Sequence, residues 1–380
     1  MTAIYLDHAA TTPVHPDVIQ AMTAVLAEDF GNPSSVHSFG RKARQHLDQA
    51  RAIAAQSLHA GERDIIFTSG GTEANNMAIT GAAFANQEKG KHVITTKIEH
   101  HAVLHTINNL EQQGFEISYL DVDETGQITV EQVQEALRED TILVSIMMVN
   151  NETGVIQPIA AIGEILHDHQ AYFHTDAVQA YGILPIDINI LQVDLLTVSS
   201  HKINGPKGLG FLYSNKEVTL EPIQYGGEQE RKRRPGTENV AGIVGFAKAI
   251  ELVQREQASC FTAYQQYRDQ FVQELEQQGV NFLINGKQDQ SVPSIINISF
   301  PGTNVESLLM NFDLSGVAAS SGSACTAGSV DPSHVLSAMF SPENERTNNS
   351  IRFSFGLAND LDNIKEAAGK VAAIVNRLTK

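Results

Sequence analysis

Lys202 closes a β-rich run, Asp194–Val198 followed by Ser199-Ser200-His201, and the turn Gly205-Pro206-Lys207-Gly208 comes soon after it. A lysine at a strand end is a candidate Schiff-base amine if its surroundings lower its pKa. Most lysines are simply solvated, so the residue alone is weak evidence. Asp176 ends another β-rich run, Ala171–His174 continued by Thr175. In open α/β sheets ligands bind outside the carboxyl ends of the strands, where an acid can face a ligand nitrogen. The bland alternative is an aspartate capping the next helix.

Two further stretches could do chemistry. Thr68-Ser69-Gly70-Gly71-Thr72-Glu73 lies between a strand-like and a helix-like segment. Exposed N–H groups at a helix start, with glycines allowing close approach, make an anion site; an ordinary capped turn reads the same way. Ser320 to Ser329 (SSGSACTAGS) surrounds one cysteine, Cys325, with small residues. Little there can bury a thiol, and an exposed thiol on a loop can act as a nucleophile. Cys260 sits in a helical stretch and reads as core or neutral. His100, His101 and His105 form HHxxxH, but no acid stands at HExxH-type spacing, and no metal is expected. Arg231-Lys232-Arg233-Arg234 is the one dense basic run. It reads either as a solvated turn or as a local site for phosphate, RNA or an acidic partner.

The elements that position these residues alternate. The chain has 380 residues, 42% apolar and 18% charged, with 26 Lys+Arg against 44 Asp+Glu and a formal charge of −18. That is a globular composition with ample chain for a core. Its acidity argues against strong direct binding of nucleic acid or an anionic membrane surface. The longest nearly apolar run, Ile142 to Val149, has eight residues, far short of the roughly 20 that a membrane helix needs. The N-terminus lacks the basic-then-apolar pattern of a secretory signal. Two cysteines cannot make a disulfide framework, and a cytoplasmic location is expected.

Strand-like runs at Asp64–Thr68, His92–Thr96, Glu116–Leu120, Ile142–Met148, Ala171–His174, Asp194–Val198 and Gly210–Tyr213 are mostly separated by helix-like stretches. This predicts an α/β domain with a mostly parallel mixed sheet. A long helical stretch from about Ile243 to Gln278 then leads into strand-like Ser294–Phe300 and Ser350–Phe355 and helix-like Val305–Asp313 and Leu361–Leu378. The expected organisation is a large domain over residues 13–256 and a smaller α+β domain formed by residues 1–12 and 257–380.

The joint order of anion turn, strand-end aspartate and strand-end lysine resembles that of the aspartate-aminotransferase-like, fold-type I pyridoxal phosphate enzymes. Within them the chain resembles class V aminotransferases, and there the NifS/IscS-like cysteine desulfurases of group I. The resemblance runs through Tyr5–Thr12, Phe30–Ser35, Glu99-His100, Asn150-Asn151-Glu152, His174–Ala177, His201-Lys202, Pro235–Asn239 and, most specifically, the Ser320–Thr326 loop. It implies that Lys202 carries pyridoxal phosphate, that Asp176 pairs with the pyridine nitrogen, and that His100 stacks on the ring. Gln179 and Asn151 would bond near the ring's phenolic oxygen. Gly71, Thr72, Ser199 and His201 would hold the phosphate, joined by Thr237 from across a homodimer interface. Arg352 would clamp the carboxylate of L-cysteine, and Cys325 would take its sulfur as a persulfide for an acceptor protein.

Ser200 stands where a glycine is usual before the His-Lys pair, so less backbone freedom is expected there. The chain ends soon after its last helix, whereas longer relatives carry an extension used in docking the iron–sulfur scaffold. The runs Thr95–His105 and Gly226–Arg234 resemble a Gram-positive branch linked to a tRNA 2-thiouridylase. Sulfur supply for tRNA thiolation is therefore the expected role. Iron–sulfur assembly, selenocysteine lysis, another class V reaction and a non-catalytic sulfur or iron–sulfur binder are the alternatives.

Overall fold

The computed structural model describes residues 3–322 and 332–380. A short strand, β1 (Ile4–Tyr5), is followed by two helices, Pro16–Glu28 and Ser38–Gln56, in a stretch where the sequence suggested no element. Seven strands then build the main sheet: β2 (Ile65–Thr68), β3 (His92–Thr96), β4 (Glu116–Leu120), β5 (Thr141–Ser145), β6 (Tyr172–Asp176), β7 (Leu195–Ser199) and β8 (Gly210–Ser214). Their spatial order is β2-β8-β7-β6-β5-β3-β4. From β7 to β4 the neighbours are parallel, while β8 runs antiparallel to both β7 and β2. The fold is thus α/β with a mixed, mostly parallel sheet.

The strand sequences explain why both faces are covered. Consecutive apolar residues point to opposite faces. Ile94, Val144, Leu196 and Phe211 enter one core cluster, while their neighbours Val93, Leu143, Leu195 and Leu212 enter another. Continuous apolar runs of this kind belong in a sheet sandwiched between helices. Helices Gly71–Asn86 and His101–Gln112 contribute to the second cluster, and Ile159–Leu166 to the first.

A separate core forms around a three-stranded antiparallel sheet of β9 (Leu283–Asn285), β10 (Ile295–Ser299) and β12 (Ser350–Ser354), in the order β12-β10-β9. The short β11 (Val317–Ala318) pairs in parallel with β1, Ile4 facing Val317, and Leu6 packs in the same core as Phe353 and Val371. The N-terminus therefore joins this second unit. One continuous helix, Val240–Gln277, spans both. Residue 256, where the sequence reading divides the chain, lies within it, after the buried Leu252 and before the buried Phe271.

Strand β12 shows how packing aims a functional side chain. Ile351 and Phe353 alternate into the core, where the Phe353 ring lies 4.7 Å from that of Phe271. Burying one such ring stabilises by roughly 1.5–3 kcal/mol. Arg352, between them, is turned to the opposite face.

Candidate active site

Four parallel strands end at one place. The chain leaving β3 reaches His100, that leaving β5 reaches Asn151, β6 ends on Asp176, and β7 runs into Ser199, His201 and Lys202. With Gly71, Thr72, Gln179 and Arg352, these residues line one cavity of about 390 Å³. The carboxyl ends of the strands thus face the crevice, as the topology of open sheets requires.

Asp176 is buried. Its Oδ1 accepts the Val178 N–H at 2.9 Å and its Oδ2 accepts Asn75 Nδ2 at 2.6 Å. Asn75 lies on the helix that begins at the anion turn, so that helix also braces the acid. Lys202 Nζ donates to the carbonyls of Ala9 and Ala10, the latter at 2.9 Å. Burial, reinforced by the positive charge of Arg352, pushes its pKa down from 10.5 to about 8. Gln179 Nε2 also donates to the Ala9 carbonyl, at 2.9 Å. The N-terminal segment is therefore threaded over the lysine, and His201 helps hold it, its carbonyl accepting Thr12 Oγ1 at 2.8 Å. Burial, with Lys202 and Lys207 nearby, lowers the His201 pKa to about 4.

His100 caps helix His101–Gln112, its Nδ1 accepting the Ala102 N–H at 3.0 Å. This bond leaves Nε2 as the proton-bearing nitrogen of the neutral ring. Desolvation in the cleft lowers its pKa, aided by Lys202, although Asp176 opposes the shift. His101 stacks on His105 with rings 5.0 Å apart, and His334 lies 4.7 Å from His101. Among the described residues no group of three or more His, Cys, Asp or Glu is arranged to hold a metal ion.

The Arg352 guanidinium is anchored by Asp7 Oδ1 at 2.8 Å and by the Asn151 carbonyl at 2.8 Å. Its Nε, and Oδ1 of Asn151, are buried without a hydrogen-bond partner. Buried polar atoms left unpaired are costly, and in a cavity they point to a ligand. Glu152, fully buried, accepts Ser333 Oγ at 2.5 Å, and burial raises its pKa to about 7.

The turn before helix Gly71–Asn86 needs its glycines for two reasons. Gly70 has φ +151°, a conformation that L side chains avoid. A Cβ on Gly71 would come within 3.0 Å of Val178 Cγ2 and 3.6 Å of Ser199 Cβ. The first N–H groups of a helix have no intrahelical acceptor, so the turn offers donors to an anion.

Ser200 carries no backbone penalty for replacing a glycine, although its buried Oγ has no hydrogen-bond partner. Its φ is not positive, and its N–H reaches the Leu209 carbonyl at 3.0 Å. The constraint falls instead on Gly205, where a Cβ would lie 2.1 Å from Ser200 Oγ.

Two expected site residues stand apart. Cys325 lies outside the described residues. Thr237 is exposed and does not line the cavity of its own chain. The basic run is also less free than its composition suggests. Arg234 pairs with Glu73 and Arg233 donates to the Arg63 carbonyl, so only Arg231 and Lys232 remain exposed. The sequence offered no role for Asn75, Asp7, Glu73, Glu152 or the Ala9 and Ala10 carbonyls. Only their place beside recognisable motifs hinted at one.

This donor set fits pyridoxal phosphate: an amine for its aldehyde, a carboxylate for its ring nitrogen, and a glycine-lined helix start for its phosphate. Asn151 and Arg352 add unpaired polar atoms to the same cavity.

The chain matches the family described as Aminotransferase class-V over residues 4–366. It is 57% identical over 379 residues to the putative cysteine desulfurase IscS 1 of Bacillus subtilis (strain 168), covering 100% of both chains. It superposes on a solved NifS-like protein with a TM-score of 0.92 at 34% identity, covering 99% of this chain and 100% of that one. A structure described as SspA in complex with cysteine matches with a TM-score of 0.82 at 37% identity, over 92% of this chain and 98% of the other.

Proposed function

The chain belongs to the aminotransferase class-V family, and within it to the NifS/IscS-like, pyridoxal-phosphate-dependent cysteine desulfurases; from that premise we propose that it converts L-cysteine to L-alanine and that Cys325 receives the sulfur as a persulfide. The observation that carries this reading is the convergence of Lys202, Asp176, His100 and Arg352 on one cavity, beside Ser320 and Gly322, which lead to Cys325.

Pyridoxal phosphate, when bound, supplies an electron sink that lets the substrate lose its Cα proton and weakens its Cβ–S bond. Lys202, biased toward its neutral form, holds the cofactor through Nζ. Asp176, braced by Asn75 and the Val178 N–H, keeps the pyridine nitrogen protonated. Gly71, Thr72, Ser199 and His201 take the phosphate, while Gln179 and Asn151 bond near the phenolic oxygen. Arg352, already oriented by Asp7, presents its remaining N–H groups to the substrate carboxylate. His100, on the cavity wall, would stack on the ring and would move protons through Nε2. The Cys325 thiolate attacks the substrate sulfur. One S–S bond forms, the Cβ–S bond breaks, Cβ takes a proton, and alanine leaves.

The exposure of Thr237, away from its own cavity, supports a homodimer in which it serves the partner's phosphate. The acceptor we infer is a tRNA 2-thiouridylase. The likeness of Thr95–His105 and Gly226–Arg234 to the branch that serves such enzymes supports this. A net charge of −18 favours leaving the RNA to the acceptor. A free thiol at Cys260 agrees with a reducing, cytoplasmic setting.

The test follows the visible absorption of the pure protein before and after L-cysteine, with alanine assayed in the same tube. A yellow protein whose band shifts and which yields alanine is expected. Cys325→Ala should keep the colour and lose the persulfide, seen by mass spectrometry as one added sulfur. Normal turnover of L-cysteine by Cys325→Ala would remove Cys325 as the acceptor. Release of free selenium from selenocysteine by that variant would favour a lyase. A protein that stays colourless with added pyridoxal phosphate overturns the reading.

A further inference from the structure

Glu73 stands in the first turn of the helix whose start forms the anion turn. A carboxylate there suits a bare helix terminus, yet it opposes an anionic ligand at the same terminus. Glu73 also lines a recess of about 350 Å³ together with Ser69, Thr72, His201 and Lys207. Uncompensated, its charge would act directly against a phosphate.

Both carboxylate oxygens are engaged. Oε2 accepts the Ser69 N–H at 2.7 Å. Arg234 grips the group with two arms, Nε to Oε1 at 2.7 Å and Nη2 to Oε2 at 3.2 Å. The pair is mostly shielded, with side chains 8% and 23% exposed. Such a fork is fixed in orientation as well as charge.

Arg234 is delivered by a strained stretch. Glu230, Arg231 and Lys232 have φ of +45°, +57° and +69°, three consecutive left-handed residues without a glycine. Each costs on the order of 1–2 kcal/mol. The stretch is held by Glu230, which is buried and forks with Arg51 at 2.7 and 2.6 Å while accepting the Phe67 N–H at 3.1 Å. Arg51 also donates to the Ile65 carbonyl at 2.7 Å. The segment is thus stapled to β2, the strand that runs into the anion turn. Backbone strain of this kind persists only where surrounding contacts impose it.

We propose that the Glu73–Arg234 pair is the charge-balancing and positioning element of the phosphate site: Arg234 cancels the Glu73 carboxylate and holds it in one orientation, so that the helix start accepts a phosphate. The inference rests on the reading that the cofactor phosphate binds at Gly71 and Thr72. Neither residue need touch the cofactor; both are positioning residues.

The test is a charge-swap cycle on cofactor affinity, read by titrating the apoprotein with pyridoxal phosphate, not by turnover. Arg234→Met should weaken binding about tenfold or more, equivalent to about 1.4 kcal/mol. Glu73→Gln should change it by less than about threefold. The double variant should regain most of what Arg234→Met loses, because the uncompensated charge is gone; two residues acting independently on the site would instead show losses that add. Arg234→Lys keeps the charge without the fork and guards against misfolding of Arg234→Met. It should bind within about threefold to tenfold of wild type. Equal affinity of wild type and Arg234→Met, a double variant no better than Arg234→Met, or an Arg234→Lys with no measurable binding overturns the inference. A wild-type apoprotein that takes up no pyridoxal phosphate overturns the underlying reading instead.

Discussion

Ser320 and Arg352 exchange both backbone hydrogen bonds, Arg352 N–H to the Ser320 carbonyl at 2.7 Å and Ser320 N–H to the Arg352 carbonyl at 3.3 Å. The chain about to enter the cysteine-bearing segment is therefore registered on the strand that carries the candidate carboxylate clamp. On the far side of that segment, Ser333 is tied to Glu152, two residues after Asn150, whose Oδ1 accepts the Glu152 N–H. The described residues Ser320 and Ser333 are thus bonded to Arg352 and Glu152.

Arg352→Lys is expected to raise KM for L-cysteine about tenfold or more while the bound cofactor's visible band stays in place. A lysine cannot reproduce a planar fork, and it leaves either Asp7 or the substrate short of a partner. The check is a pair of measurements on one preparation, the absorption spectrum and initial rates across substrate concentration. Unchanged KM would remove Arg352 from substrate binding.

Cofactor capture by the apoprotein is expected to accelerate as pH rises through about 8. The nucleophile is the neutral amine, and burial lowers the Lys202 pKa from 10.5 to about 8. The folded group thus binds fewer protons than the unfolded one between those values. It detracts from apoprotein stability below pH 8, and that cost is relieved as pH rises toward 10.5. Stopped-flow mixing with pyridoxal phosphate from pH 6.5 to 9.5 would show the rise. A flat profile, or one that rises only near the ordinary lysine value, would contradict the assignment.

Glu99→Gln is expected to compare better with wild type at pH 9 than at pH 6. Burial raises the Glu99 pKa to about 8, against the opposing bonds from the Met147 N–H and Thr96 Oγ1. A raised carboxyl contributes stability that is fully present below its unfolded value of 4.5 and is lost as pH climbs through about 8. Between those two values wild type forfeits about 1.4 kcal/mol for each pH unit; the loss is complete above about 8, and the amide forfeits nothing. Thermal unfolding of both proteins at the two pH values measures the gap. A gap that stays constant or widens toward pH 9 would show that Glu99 ionises normally.

Much of this site could be read from local sequence because its chemistry sits at strand ends. Apolar runs such as Ala171–His174 and Asp194–Val198 announce buried parallel strands, and Asp176 and Lys202 follow them directly. The small-residue loop around Cys325 is equally local. Period and composition act over a few residues, so they survive in the bare sequence.

What tertiary structure alone decided is the company these residues keep. Asn75 meets Asp176 across 101 residues, and Glu230 meets Arg51 across 179. Ile4 and Tyr5 return to pair with β11, and Ala9 and Ala10 to cover Lys202. The run of Arg231 to Arg234 reads as a basic surface, yet the fold turns Arg233 and Arg234 inward through three left-handed residues that no local propensity favours. Such pairings depend on how distant elements dock, and strained backbone persists only where the surrounding contacts impose it. The sequence alone determined which groups could react. Docking decided which of them are braced, neutralised or pushed off their ordinary pKa, because burial and neighbouring charge exist only in the folded chain.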